Sequence, residues 1–518
     1  MMENLSQSME TRQETSNPST FRQLLPQVLA CSAKSVLYLS LGMLVGLPTL
    51  LIPDVTDPSN LNELFLDNDQ ASWYGSLTYI FQPLGSLASG ALLQSVGCKK
   101  LMIMVNIPQF VSWIMTYYAS SALVLYISSA LVGLVVGLME APTCRYISEI
   151  THPSYRGVLT SYSTSFVTVG FLLVYALGLV TNWRNVALIS ASTPVLAIIV
   201  LLMIPETPIW LMSKGRSEEA LQSLQWLRGW TTKEAVQEEY TKLQFYAKKQ
   251  QRKTIHAYGK EVDIADEKPT VLNGASSGGH LEVEEVEERR GLKEKIRELT
   301  CKEMLVPLGK CIVLFFVSIC SGLLSLRPYF VQVFEEFDLP TDGLTTSVLI
   351  SVIAIVGNIV CMLIINRVKK RPLIIFSLIS TALCLILLAL FLKAPTNPHN
   401  NASLRWWSLI LFLIVNFVNN LGIYPISWTY LSEILPYRGR GIATAIGSSF
   451  FYIVIAVGVK TYPSLEQQIG LDGIFLVYAV ISLAGAYFTY FSLPETEGKF
   501  LSDIETHGKD KKIQVTSF

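Results

Sequence analysis

The chain has 518 residues, of which 51% are hydrophobic and 15% charged, and its 40 basic side chains balance its 40 acidic ones. With a mean hydropathy of +0.42 it is too apolar for a soluble fold, and the balanced charge gives no reason to expect nucleic acid as a partner. An all-α membrane protein is the class that remains, with the lipid bilayer and a small-molecule solute as expected partners and no obligate protein partner evident.

Residues 1–27 form a polar N-terminal tail whose first 20 residues carry Glu3, Glu10 and Glu14 and do not resemble a cleaved signal peptide. A helix needs about 20 apolar residues to cross the hydrocarbon with its backbone satisfied internally. Six such segments lie near residues 28–51, 73–93, 101–119, 122–146, 158–180 and 186–204, making an N-terminal six-helix bundle over 28–204. A polar middle, 205–303, follows. Its 217–245 stretch has helical periodicity with Leu221, Leu224, Leu227 and Leu243 as apolar positions, whereas 247–282 reads as disordered, with Lys-Lys-Gln-Gln-Arg-Lys and a Gly/Ser-rich run. Six further spans near 306–334, 347–365, 373–392, 406–431, 442–462 and 473–493 make a C-terminal bundle over 304–493, and 494–518 is a second tail.

Lys99, Lys100, Arg156, Arg367, Lys369, Lys370, Arg371, Arg438 and Arg440 fall in loops on the side shared by both termini and the polar middle, which the positive-inside rule makes cytoplasmic. The sequon Asn401-Ala402-Ser403 then faces outward as a glycosylation candidate. The eight cysteines lie in spans or on the cytoplasmic side without metal-ligand spacing, so neither a disulfide framework nor a metal site is expected, and no cofactor is implied. No nucleophile, metal cluster or paired carboxylates converge, so an enzyme is not expected.

The chain repeats itself. Tyr146-Ile147-Ser148-Glu149-Ile150 with Arg156 returns as Tyr430-Leu431-Ser432-Glu433-Ile434 with Arg440, since 433−149 and 440−156 both equal 284. Pro205-Glu206-Thr207 after the sixth span returns as Pro494-Glu495-Thr496 after the last, and the loop Val96-Gly97-Cys98-Lys99-Lys100 returns as Val368-Lys369-Lys370-Arg371. Duplicated membrane halves characteristically rock around a site between them. Pro153 and Pro436 interrupt helix between each glutamate and its arginine, so the acid ends one helix and the base opens the next. Charges so placed can pair across the bundles. Each exposed pair contributes only about 0–1 kcal/mol, yet several together shift a two-state equilibrium by one or two orders of magnitude. The bland alternative is that they mark topology and snorkel.

Together these motifs resemble the sugar porter family of the major facilitator superfamily along nearly the whole chain. Within it, Pro205-Glu206-Thr207-Pro208-Ile209-Trp210 and Leu224-Gln225-Trp226-Leu227-Arg228-Gly229 look most like insect facilitated trehalose transporters. The resemblance implies about twelve helices in two six-helix halves and a cytoplasmic gate of Lys99, Lys100, Glu149, Arg156, Glu206, Arg367, Arg371, Glu433, Arg440 and Glu495. Cys98 and Lys369 depart from it, standing where the family prefers arginine and glycine.

Helix-disrupting residues tolerated at membrane depth line cavities, and they cluster at Gly46 and Pro48, at Ser321-Gly322 with Pro328, and at Gly422 with Pro425. By likeness to sugar porters, Trp428 is a cavity tryptophan, its indole suiting the mixed face of a pyranose. Thr164, Asn358, Asn416, Asn419 and Asn420 are candidate hydroxyl ligands whose alternative is bonding between helices. The seventh span carries Ser318, Ile319 and Leu324 where sugar porters carry three amides, and Arg327 stands nearby, either attracting an anionic group or snorkelling. Lys34 and Glu140 pose the same question, and pairing among the three is open. The acid of proton-coupled relatives is absent near Pro48, which favours uniport over symport.

The expected function is facilitative transport of a sugar of the trehalose or glucose type by alternating access, in the plasma membrane with both termini cytoplasmic. The alternatives are a carrier of a different, possibly anionic, solute and a non-transporting sensor with the same fold.

Overall fold

The computed structural model describes residues 20–57, 64–151, 156–257, 302–393, 402–435 and 440–493. Asn401, Glu495 and Arg438 lie outside these. The described residues are helices and their connections: Thr20–Thr56, Asn68–Val96, Cys98–Tyr117, Ala122–Ile150, Arg156–Gly178 and Trp183–Ser190 with Ser192–Leu202 are the first six spans. Lys302–Ser321 with Phe330–Glu336, Gly343–Val368, Lys370–Lys393, Ala402–Leu421 with Ile423–Ile434, and the two arms of Arg440–Ser492 are the second six. Nine of the described helices are long and apolar enough to cross a membrane unaided. The last of the nine is two spans run together through Gly470, at φ 70° and ψ 165°. The second and third spans complete the twelve; both are richer in polar residues.

Short connections force neighbouring spans antiparallel, so the spans share a termini end and a far end. Carboxylate and amide caps start spans at the far end. Asp67 accepts from the Gln70 backbone N–H in a reciprocal capping box, Asn182 from Asn185 and Asp342 from Thr345. Small residues let backbones meet inside the first half: a β-carbon on Gly137 would sit 2.1 Å from the Gln82 carbonyl oxygen, and one on Gly170 the same distance from that of Leu39.

Two spans are broken where helix-disrupting residues cluster in the sequence. After Ser321 the seventh unwinds, with Leu323 at φ 52°, and resumes through a 3-10 turn at Arg327–Tyr329. Asn419 of the tenth span donates to the Ser321 carbonyl at 3.0 Å, replacing a helical partner, and Pro328 has no N–H to continue the ladder. The tenth span breaks at Gly422, at φ −128° and ψ −89°, where a β-carbon would lie 2.6 Å from that of Ser377. Only glycine permits that approach to the ninth span.

The chain divides into two compact units, Val28–Pro205 with Lys302–Phe518 and Met1–Gln27 with Glu206–Cys301. In the smaller, helices Pro208–Ser213, Ser217–Leu227 and Lys233–Ala257 bury Trp210, Leu211, Ala220, Leu224, Val236 and Tyr240 against one another. Leu221 and Leu243 pack at that core's edge, as the periodicity predicts. The expectation of disorder over 247–282 is corrected for its first part, where helix continues to Ala257, and 258–282 lie outside the described residues. The segment has no glycine or proline after Gly229, and its Lys, Gln and Ala are strong helix formers, which outweighs its polarity.

Candidate functional site

The two halves of the membrane unit meet through polar contacts at the far end and at mid-depth. Thr49 of the first span donates to the Arg327 carbonyl at 2.9 Å. Lys460 of the eleventh span holds Asp69 at 2.5 Å and Ser72 at 2.9 Å, both on the second span, and lies 4.4 Å over the Trp73 ring. Deeper in, Asn358 donates to Thr168 Oγ1 at 3.2 Å, and Ser86 Oγ lies 3.4 Å from Ser448 Oγ.

At the termini end the described ion pairs lie within a half. Glu149 takes Arg145 Nε at 2.5 Å, one turn earlier on the same helix, and Glu433 takes Lys370 Nζ at 2.7 and 2.8 Å from the ninth span. The described partners of both glutamates thus lie within their own halves. Neither Arg145 nor Lys370 was among the expected gate residues. The first was signalled only by its i,i+4 spacing to Glu149, the second by its alignment with Cys98. Lys99 caps the sixth span through the Leu202 carbonyl at 3.1 Å, Arg371 lies 5.3 Å over the Tyr490 ring, and Lys100 and Arg367 are exposed. Glu206 belongs to the smaller unit and bonds the Thr207 backbone N–H. Arg156 and Arg440 open their helices as expected, their side chains lying outside what the structure describes. Tyr146 and Tyr430, the repeat's aromatic positions, are fully buried, and Tyr146 donates to the Pro205 carbonyl at 2.9 Å.

Of the candidate solute ligands, Trp428 sits half-buried in an aromatic cluster, 5.0 Å from Phe315, 5.1 Å from Phe451 and 6.3 Å from Tyr452 between ring centres. Those partners come from the seventh and eleventh spans, so an aromatic wall joins them to the tenth. Thr164 is exposed and donates its hydroxyl proton to the Ser161 carbonyl, which leaves its lone pairs as acceptors. Asn420 is half-buried and donates to the Asn416 carbonyl, leaving its own oxygen for other partners. Asn416 and Asn419 are buried and bond backbone carbonyls, the role of stabilising helices. Ser318 is 1% exposed, sealed within the seventh span and out of reach of any solute in this conformation.

Lys34, Glu140 and Arg327 do not pair with one another. Lys34 is fully buried, its Nζ 3.8 Å over the Tyr38 ring and without a described hydrogen-bond partner. Glu140 accepts from Ser86 Oγ at 3.2 Å. Arg327 is half-buried with its guanidinium carbon 4.1 Å over the Phe171 ring, so it is held at the interface between halves rather than snorkelling alone.

The broken seventh and tenth spans, the duplicated glutamates and the twelve-helix plan together define a major facilitator fold. The Major Facilitator Superfamily profile matches residues 33–459, and the chain belongs to that superfamily. It is 26% identical over 497 residues to a facilitated trehalose transporter of Drosophila virilis, covering 96% of this chain and 50% of that protein. To the facilitated trehalose transporter of Polypedilum vanderplanki it is 25% identical, covering 96% of this chain and 90% of the relative. The chain thus spans about half the length of the Drosophila relatives. Among solved structures it is similar to the proton:xylose symporter XylE bound to 6-bromo-6-deoxy-D-glucose, with a TM-score of 0.67 at 17% identity, covering 93% of this chain and 98% of that one. An inward open conformation of the same transporter from E. coli gives 0.65, covering 92% and 98%.

Proposed function

We propose that this chain is a facilitative transporter of a sugar of the trehalose or glucose type, working by alternating access in the plasma membrane with both termini in the cytoplasm. The observation that carries the reading is the arrangement of contacts between halves. Among the described residues they are made at the far end and mid-depth, and Glu149 and Glu433 each have a partner inside their own half. These contacts support the reading of a carrier whose far, extracellular gate is closed. In the opposite state Glu149 and Glu433 exchange these partners for the facing bundle, with Arg156 and Arg440 in reach. Relatives named as trehalose transporters and the fold shared with a xylose symporter support a sugar as cargo. Trp428 with its aromatic wall offers the apolar face of a pyranose a platform, and Asn358, Asn420 and Thr164 offer its hydroxyls partners.

The test is uptake of radiolabelled trehalose and glucose in cells expressing the chain, at two external pH values, beside an Arg156→Ala/Arg440→Ala double variant. Saturable, pH-insensitive uptake that the double variant loses is expected. Absence of sugar flux from protein shown to be at the cell surface rejects the reading.

A further inference from the structure

Arg327 lies between the two halves, and among the described residues its permanently charged side chain has no hydrogen-bond or ion-pair partner. Its backbone carbonyl is tied to Thr49, but no described hydrogen bond or ion pair uses the guanidinium. Lys34 and Glu140 could each shed their charge by moving a proton; an arginine cannot. Keeping a bare guanidinium at membrane depth is costly unless water or an acceptor reaches it.

Its surroundings fix it in place without satisfying it. The guanidinium lies 4.1 Å over Phe171, and Tyr79, Tyr175 and Tyr424 are close enough to feel its charge. These rings come from the second, fifth and tenth spans, while Arg327 follows the break in the seventh, so four spans from both halves converge on it. Aromatic faces stabilise the cation but accept none of its five in-plane N–H donors. The side chain is only half-buried, so the donors remain reachable. A planar fork clamped by a ring and open at its edge is suited to bidentate capture of a carboxylate.

The inference rests on the sugar-transport reading and refines its cargo. We propose that Arg327 forms a carboxylate subsite, so that the preferred cargo is a sugar acid: a hydroxyl-bearing ring of uronate type, its carboxylate on Arg327 and its ring against the Trp428 wall. The replaced amides point the same way. Ser318 is sealed, and Ile319 and Leu324 are buried apolar residues, so the seventh span offers its cargo a charged fork in place of neutral hydroxyl ligands. One feature opposes anion entry: Asp54, Asp57, Glu335 and Asp342 line a cavity of about 480 Å³ at the far-end mouth. Their field acts on the rate of entry from that side and is screened over about 8 Å, whereas the subsite sets which cargo is held.

The experiment measures uptake of radiolabelled glucuronate and glucose by the full chain, with Arg327→Gln and Arg327→Lys beside it and each flux normalised to surface protein. Saturable glucuronate uptake is expected in the native chain, with unlabelled glucuronate suppressing glucose uptake. The glucuronate-to-glucose ratio is expected to fall about tenfold or more in Arg327→Gln and less in Arg327→Lys, which keeps the charge but loses the fork. The ratio cancels any loss of folded protein. Glucose uptake that glucuronate neither shares nor competes with overturns the subsite and leaves the sugar reading standing, as does an unchanged ratio in Arg327→Gln. Flux of neither compound from surface protein removes both.

Discussion

The loop joining the second and third spans and the loop joining the eighth and ninth are copies that have decayed at adjacent positions. The first keeps Gly97, at φ 93°, but has Cys98 where its copy has Lys370. The second keeps the cation, which grips Glu433 with both oxygens, but has Lys369 at φ 70° and ψ 163° where its copy has glycine. That backbone region is almost exclusive to glycine and costs another residue of order 1–3 kcal/mol. In the first half a thiol cannot pair with Glu149, and Arg145 on the same helix supplies the charge instead. Arg145 has no counterpart in the second half, where the position 284 residues on is Thr429. One acid position is thus held by two different devices: a partner on a neighbouring helix in one half and a turn-to-turn pair in the other.

The largest effect is expected from removing the neighbouring-helix partner. Lys370 is 6% exposed and Glu433 30%, so Lys370→Met removes a cation from a partly buried carboxylate and should destabilise the detergent-solubilised protein by about 2 kcal/mol. Adding Glu433→Gln should restore much of that, read as a thermal shift; no recovery would mean that Glu433 does not depend on Lys370. Next, Lys369→Gly should stabilise by about 1–2 kcal/mol while Gly97→Lys destabilises by a similar amount. Equal behaviour of the two loops in that swap would refute the backbone argument. Arg145→Ala should cost roughly 0.5–1 kcal/mol in the native chain and less in a Cys98→Lys background, where Glu149 gains the partner its copy has; a double-mutant cycle measures the coupling.

Much of this architecture could be read in the chain itself because hydropathy and repetition are local in sequence. The twelve spans, the 284-residue offset and the disruptions at Gly322, Pro328 and Gly422 follow from residue order alone. The contacts that define the conformation do not. Lys460 meets Asp69 across 391 positions, and nothing in either residue's neighbourhood marks the other. The sealing of Ser318 depends on where the seventh span turns, which is set by Asn419 reaching the Ser321 carbonyl from another helix. The helix through Ala257 was hidden for the opposite reason: composition signalled disorder, while unbroken helix formers sufficed to extend a helix already anchored by Val236 and Tyr240.

The most direct test of alternating access by this chain is counterflow. Purified full-length protein in liposomes preloaded with unlabelled trehalose or glucose is given a trace of the labelled sugar outside. A carrier that returns faster loaded than empty accumulates label transiently above equilibrium, and that overshoot is the predicted result. Label that rises only to equilibrium at the rate of protein-free liposomes, with either sugar, would contradict the account.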